Sequence, residues 1–190
     1  MDFLNRGLTR GQNVSLTREN PNLRTVSVGV EAPARAEDLS ALVSMAAVLC
    51  GPGGVAGSDR DMVFFNQTVS ADGSTGWRAG EDASVREVVE VDLERVPDDV
   101  SKIVFVLFTD AGSAATRPLS RLTSCRVHVG DQISGQRIIS TENFVPGMGA
   151  ESALLLGEVY RHRGEWKFRS VGQGYQGGML EAMSALGVTL

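Results

Sequence analysis

LLLGEVYRHRGEWKFRSVG, residues 154–172, decides the fold class. Two runs rich in β-branched, aromatic and long apolar residues flank Arg163 and Gly164, and Trp166 and Phe168 return on one face of the second run. A two-residue break between such runs is the signature of a tight β-hairpin. The hairpin leads into the glycine-rich stretch VGQGYQGG and then into GGMLEAMSAL, residues 177–186, which places Met179, Leu180, Met183 and Leu186 at helical spacing before Gly187 offers a stop. A short C-terminal helix docked on the β-structure is the expectation, with its two methionines as core filler.

Upstream of the hairpin the period stays near two. Cys125, Val127 and Val129 alternate with Arg126 and His128. KIVFVLFT, residues 102–109, is apolar on both parities and so needs cover on both sides, which places it inside a sheet. From Val85 to Leu93, Val85, Val89, Val91 and Leu93 share one parity while Arg86, Glu90 and Asp92 share the other, as in a half-buried strand. Asp61 to Gln67 (DMVFFNQ) reads as a short strand running into the turn chemistry of SADGSTG. LVSMAAVLC, residues 42–50, is ambiguous by periodicity, but the GPGG that follows is a sharp stop and favours a strand. Thr25 to Val30 is an early strand, and ERVPDDV is compatible with one helical turn.

Strands separated by Gly, Pro, Asp and Asn clusters along 190 residues predict one all-β domain over 1–190, a β-sandwich or a barrel. The least ordered segments are expected to be the N-terminal arm, Gly112 to Thr116, and the region from Gly130 to Gly149.

Composition narrows the function classes. The net charge is −5 and the arginines are scattered, so the electrostatic footprint of nucleic-acid binding is missing and acidic membrane surfaces are equally poor partners. No segment approaches the run of apolar residues a spanning helix needs, and the start lacks an apolar signal core, so no membrane insertion and a cytoplasmic location are expected. Cys50 and Cys125 have no CxxC partner and read as small buried hydrophobes.

Catalysis finds no support in the residues. His128 alternates outward and His162 sits by a hairpin tip, so both are expected in solvent, and neither is near a GxSxG elbow. VGQGYQGG lacks the GK[ST] of a phosphate loop, and two Cys and two His at these spacings match no zinc arrangement. The chain is expected not to be an enzyme. Trp77, in a Gly-rich stretch, is the one candidate aromatic platform for a small-molecule site.

Three ordered blocks resemble one family. GEVYRHRGEWKFRSVGQGYQGGM is similar, almost position for position, to the "GELYR..GEWKFRAVGQGY.GGL" ending of the TerD family of bacterial tellurium-resistance proteins. SDRDMVFFNQTVSADGS resembles its "SD.DFVFYNN..SPDGS", and VEVDLERVPDDVSKIVFVLF its "I.VDL..VP..V..IVF.V". The resemblance implies a two-sheet sandwich, a role in tellurite and chemical-stress resistance with protein partners, and calcium bound by acidic loops at one end of the sandwich. The residues it points to are Asp59, Asp61, Asn66, Asp72, Glu81 and Asp82. Two departures matter. The family's "DLDAS" falls on LVSMA, residues 42–46, which carries neither carboxylate, and its "GDDE" falls on Ser84, Val85, Arg86 and Glu87. Calcium affinity in loop sites depends on ligand charge count, so binding is expected to be weak or lost. The alternatives are a calcium protein whose ion orders the 57–84 loops for a partner, and a small-molecule-binding sandwich.

Overall fold

The computed structural model describes residues 7–34, 43–81, 85–109 and 118–190. The described residues form eleven strands: β1 (Asn13–Ser15), β2 (Thr25–Glu31), β3 (Val43–Cys50), β4 (Met62–Val63), β5 (Thr75–Ala79), β6 (Glu87–Asp92), β7 (Lys102–Thr109), β8 (Arg126–Asp131), β9 (Arg137–Ser140), β10 (Ala153–His162) and β11 (Glu165–Tyr175). One α-helix follows, α1 (Gly178–Ala185). The strands pair antiparallel into a six-stranded sheet, ordered β1-β11-β10-β7-β3-β4, and a five-stranded sheet, ordered β5-β6-β2-β8-β9. This is the expected sandwich with its short C-terminal helix.

Two apolar layers follow from strand parity. Alternate residues of both sheets, among them Val26, Val28, Val89, Phe105, Val127 and Phe168, fill the space between them. The opposite parity of the six-stranded sheet is also apolar along its middle strands: Ala46, Val48, Cys50, Val104 and Val106 lie under α1, which buries Ala182, Met183 and Leu186 against them. That second layer explains why β7 is apolar on both parities, since its outer face is roofed by the helix. Leu180 departs from its expected place and is 63% exposed, because Ala182, one turn position away, takes the sheet-facing stripe.

The β10–β11 hairpin turns at Arg163 and Gly164 with φ of 51° and 79°, the positive pair that a type I′ turn requires. The register shifts between Leu155 and Gly157, where a Cβ on Gly157 would lie 2.6 Å from the Arg169 carbonyl and 2.7 Å from the Phe168 ring. Trp166 and Phe168 face the inner core as expected, whereas Tyr160 lies on the outer face, half-buried beneath the Arg169 guanidinium at 5.0 Å. Tyr160 pairs with Lys167, not with the core-facing Phe168, and strand parity sends it outward.

Other elements correct the expectations. The strand expected over 61–67 is only Met62–Val63, because a 3-10 turn at Asp59–Asp61 precedes it and Phe64 and Gln67 close a tight turn after it. The region from Gly130 to Gly149 carries β9 and a tied loop, in which Phe144 is fully buried and its amide donates to the Cys125 carbonyl. ERVPDDV forms no helix but lies in two short turns, the Val96 amide donating to the Asp92 carbonyl and the Val100 amide to the Pro97 carbonyl, and the Arg161 guanidinium donates to the Val96 and Pro97 carbonyls. Leu42 and the Gly112 to Thr116 stretch lie outside the described residues. Cys50 and Cys125 are buried free thiols, and burial pushes them up to about 11 and about 12.

Candidate functional site

The acidic residues singled out in the sequence occupy separate places, each with a local task. Asp61 ends the 3-10 turn, and its Oδ2 accepts the Gly57 and Ser58 amides at 2.9 and 2.8 Å. Asp59 accepts the Thr189 amide at 2.9 Å, fastening the segment that follows α1. Asp72 accepts the Ser74 amide at 2.7 Å and the Ser70 hydroxyl at 3.2 Å at the turn before β5. Glu81 is exposed and pairs with Arg78 at 3.6 Å. Asn66 sits exposed in the tight turn after β4, and Asp82 lies outside the described residues.

These positions do not fit one calcium ion. Asp72 and Glu81 flank opposite ends of β5, and a strand advances ~3.3 Å per residue, so about 13 Å of strand separates them. Two ligands of one calcium lie at most about 5 Å apart, since each bond is about 2.3–2.6 Å. Among the described residues, no three His, Cys, Asp or Glu side chains converge to hold a metal ion.

The places where the resemblance expects further carboxylates do converge, but on other chemistry. Ser44 at the start of β3 and Arg86 just before β6 border a crevice of about 10 Å³ walled by Val30, Val43, Met45 and Leu107. Glu87 shares the inward parity of Val89 and Val91, and its Oε2 accepts the Met45 amide and, at 3.0 Å, the Trp77 indole N–H. One carboxylate is thus spent on closing this end of the sandwich. Sequence reading misses this role of Glu87, and a charged residue on a buried parity is the signal that could find it. Trp77 is no exposed platform: it lies in β5, half-buried against the inner core.

His128 also differs from expectation. It points to the outer face of the five-stranded sheet, but its side chain is only 11% exposed, with Ser140 Oγ at 2.9 Å from Nδ1 and Glu31 Oε2 at 3.2 Å from Nε2. A carboxylate can only accept, so Nε2 carries the proton and Nδ1 accepts from the serine hydroxyl. Cross-strand pairing of His128 with Ser140 makes this contact, which periodicity within one strand cannot show. Ser140 is 8% exposed, so a reacting carbonyl has no route to it.

Burial lowers the His128 pKa, the Glu31 hydrogen bond opposes that, and Arg137 adds to it. The folded protein therefore binds this proton less readily than the unfolded chain. Stability from His128 is fully present above pH 6.5 and is lost as pH falls through the lower folded value. Urea midpoints measured stepwise downward from pH 7 should fall in that window, and the fall should flatten in His128→Gln. An equal slope in both proteins would contradict the burial.

Residues 5–185 match the model of the TerD domain. The chain belongs to the TerD family. Among TerD relatives it is 33% identical over 186 residues to tellurium resistance protein TerD of Serratia marcescens, covering 95% of this chain and 96% of that protein. It is 30% identical over 191 residues to general stress protein 16U of Bacillus subtilis (strain 168), with 95% and 96% covered. The crystal structure of the unknown-function protein SAV2460 shares the fold with a TM-score of 0.69 at 18% identity, covering 88% of this chain and 99% of that one. No helix among the described residues is long and apolar enough to cross a membrane.

Proposed function

We propose that this TerD chain is a non-catalytic binding module of a bacterial stress-response system, engaging protein partners in the cytoplasm, with a calcium site lost or reduced to weak binding. The observation that carries the reading is the commitment of Asp59, Asp61, Asp72 and Glu81 to backbone amides or an arginine at separate points of the fold. A cation there would have to displace those partners and still find too few oxygens. The names of the tellurium-resistance and general-stress relatives support the stress-response role. The enclosed Ser140 supports a binding role over a hydrolytic one.

Calorimetric and thermal titration with calcium tests the metal part. Saturable tight binding to a native protein must raise its Tm by linkage, so a flat response at about a hundred times micromolar is expected. Asp61→Ala should cost about 1 kcal/mol through its lost amide bonds, with or without calcium. A large calcium-induced rise in Tm that disappears in Asp61→Ala would establish the opposite reading, an ion that orders the 57–84 loops. Partner capture from stressed bacteria should survive a chelator, and its loss would argue for calcium control.

A further inference from the structure

The outer face of the five-stranded sheet carries a trough whose origin is in the strand register. Strand parity turns Ser27 and Gly29 of β2 outward, since Val26, Val28 and Val30 are buried between the sheets. Cross-strand pairing sets one row as Arg78, Val88, Gly29 and His128, and the next as Glu90, Ser27, Gly130 and Arg137. Ser27 and Gly29 of β2 and Gly130 of β8 therefore make a low floor, between taller side chains on β5, β6 and β9 and His128 of β8. A trough of about 160 Å³ results, lined by Ser27, Gly29, Arg78, His128, Gly130 and Arg137 together with Val85 and Val88.

The floor has no spare room for larger residues. A Cβ on Gly29 would lie 2.7 Å from Val85 Cγ1, and one on Gly130 would lie 3.0 Å from the Gln136 carbonyl and 3.2 Å from Ser27 Oγ. Among the described residues no Asp or Glu lines the space. Its polar walls are donors. Arg78 spends Nε on Glu90 at 2.6 Å and Nη1 on Glu81 and the Ala79 carbonyl, which leaves Nη2. Arg137 and the Ser27 hydroxyl have no partner among the described residues.

We propose that this trough binds a small oxyanion, held between the Arg78 and Arg137 guanidiniums over the Ser27 hydroxyl. Guanidinium forks match the oxygens of phosphate and carboxylate groups, and such charge-assisted bonds are the strong ones. Pockets for drug-sized ligands run to roughly 300–1,000 Å³, so a trough of this size suits a smaller group, on the scale of the benzene that fills an enclosed cavity of about 150 Å³. Among the described loop acids Glu81 touches this face through its ion pair with Arg78, but the stress-module reading does not depend on the trough, so the site goes beyond that reading and can fail without it.

The test is titration of the purified full chain with inorganic phosphate, sulfate and malonate, at ionic strength held constant with chloride so that general screening cancels. At least one probe should bind in the millimolar range or tighter. Arg137→Glu should weaken it by about tenfold or more, Arg137→Lys less, and Ser27→Ala by about three- to tenfold. Arg137 is exposed on β9, so the urea midpoint of its variants should stay at the parent value, which separates lost binding from lost fold. Preference for phosphate and sulfate assigns a tetrahedral anion, and preference for malonate assigns a carboxylate. Absence of binding by all three at ~10 mM, or equal binding by Arg137→Glu, overturns the proposal.

Discussion

Phe105→Ala should cost about 3–5 kcal/mol, a large share of the roughly 5–15 kcal/mol that holds a domain folded. Phe105 is fully buried in the inner layer at the centre of β7. Its cross-strand neighbours are Ala47 on β3 and Gly157 on β10, so the ring occupies space that neither neighbour fills. The truncated row would read Ala, Ala, Gly across three central strands. Hydrogen-bonded strands cannot close up sideways, so the cavity would persist and its cost add to the lost burial. Equilibrium urea unfolding measures the loss, and a cost below about 1.5 kcal/mol would mean that the site collapses and the packing argument is wrong.

Met183→Asp should be as damaging, by another route. Met183 is fully buried between α1 and the outer face of the six-stranded sheet, where Cys50, Val104 and Val106 also lie. A carboxylate there has lost its water and gained no cation, and even a plain Met→Ala truncation costs about 2–5 kcal/mol. The expected result is a helix that detaches while the sandwich stays folded. Cys50 reports this directly. In the parent both thiols should resist a thiol reagent at neutral pH, since burial holds them at about 11 and about 12. In Met183→Asp, Cys50 should label first while Cys125, between the sheets, stays protected. Simultaneous labelling of both would show that the helix and the sandwich unfold as one unit.

Legibility varied with how local the cause was. The hairpin around Arg163 and Gly164 was readable because a type I′ turn is specified by the residues at the turn itself. DMVFFNQ has strand composition over 61–67, yet the strand shortens to Met62–Val63 because the Asp61 carboxylate gathers the amides behind it into a 3-10 turn. Residue type alone would put Tyr160 and Leu180 in cores, and strand parity and helix phase turn both outward. The acids of the expected calcium set were legible as turn residues and by resemblance. Their separation was not, since it depends on the length of β5 between Asp72 and Glu81.

Alternation, turn chemistry and the apolar β7 segment determined by themselves that this chain builds sheets closed by a hairpin and a short helix, because side-chain parity and turn dihedrals are local properties. Which strands lie side by side was decided only by the tertiary structure. Pairing between residues distant in the chain set Ser140 against His128, aimed Glu87 at Met45 and Trp77, and left two glycines and a serine between Arg78 and Arg137. Those contacts arise from long-range register, which the burial of one face of each strand enforces and no short window of residues contains.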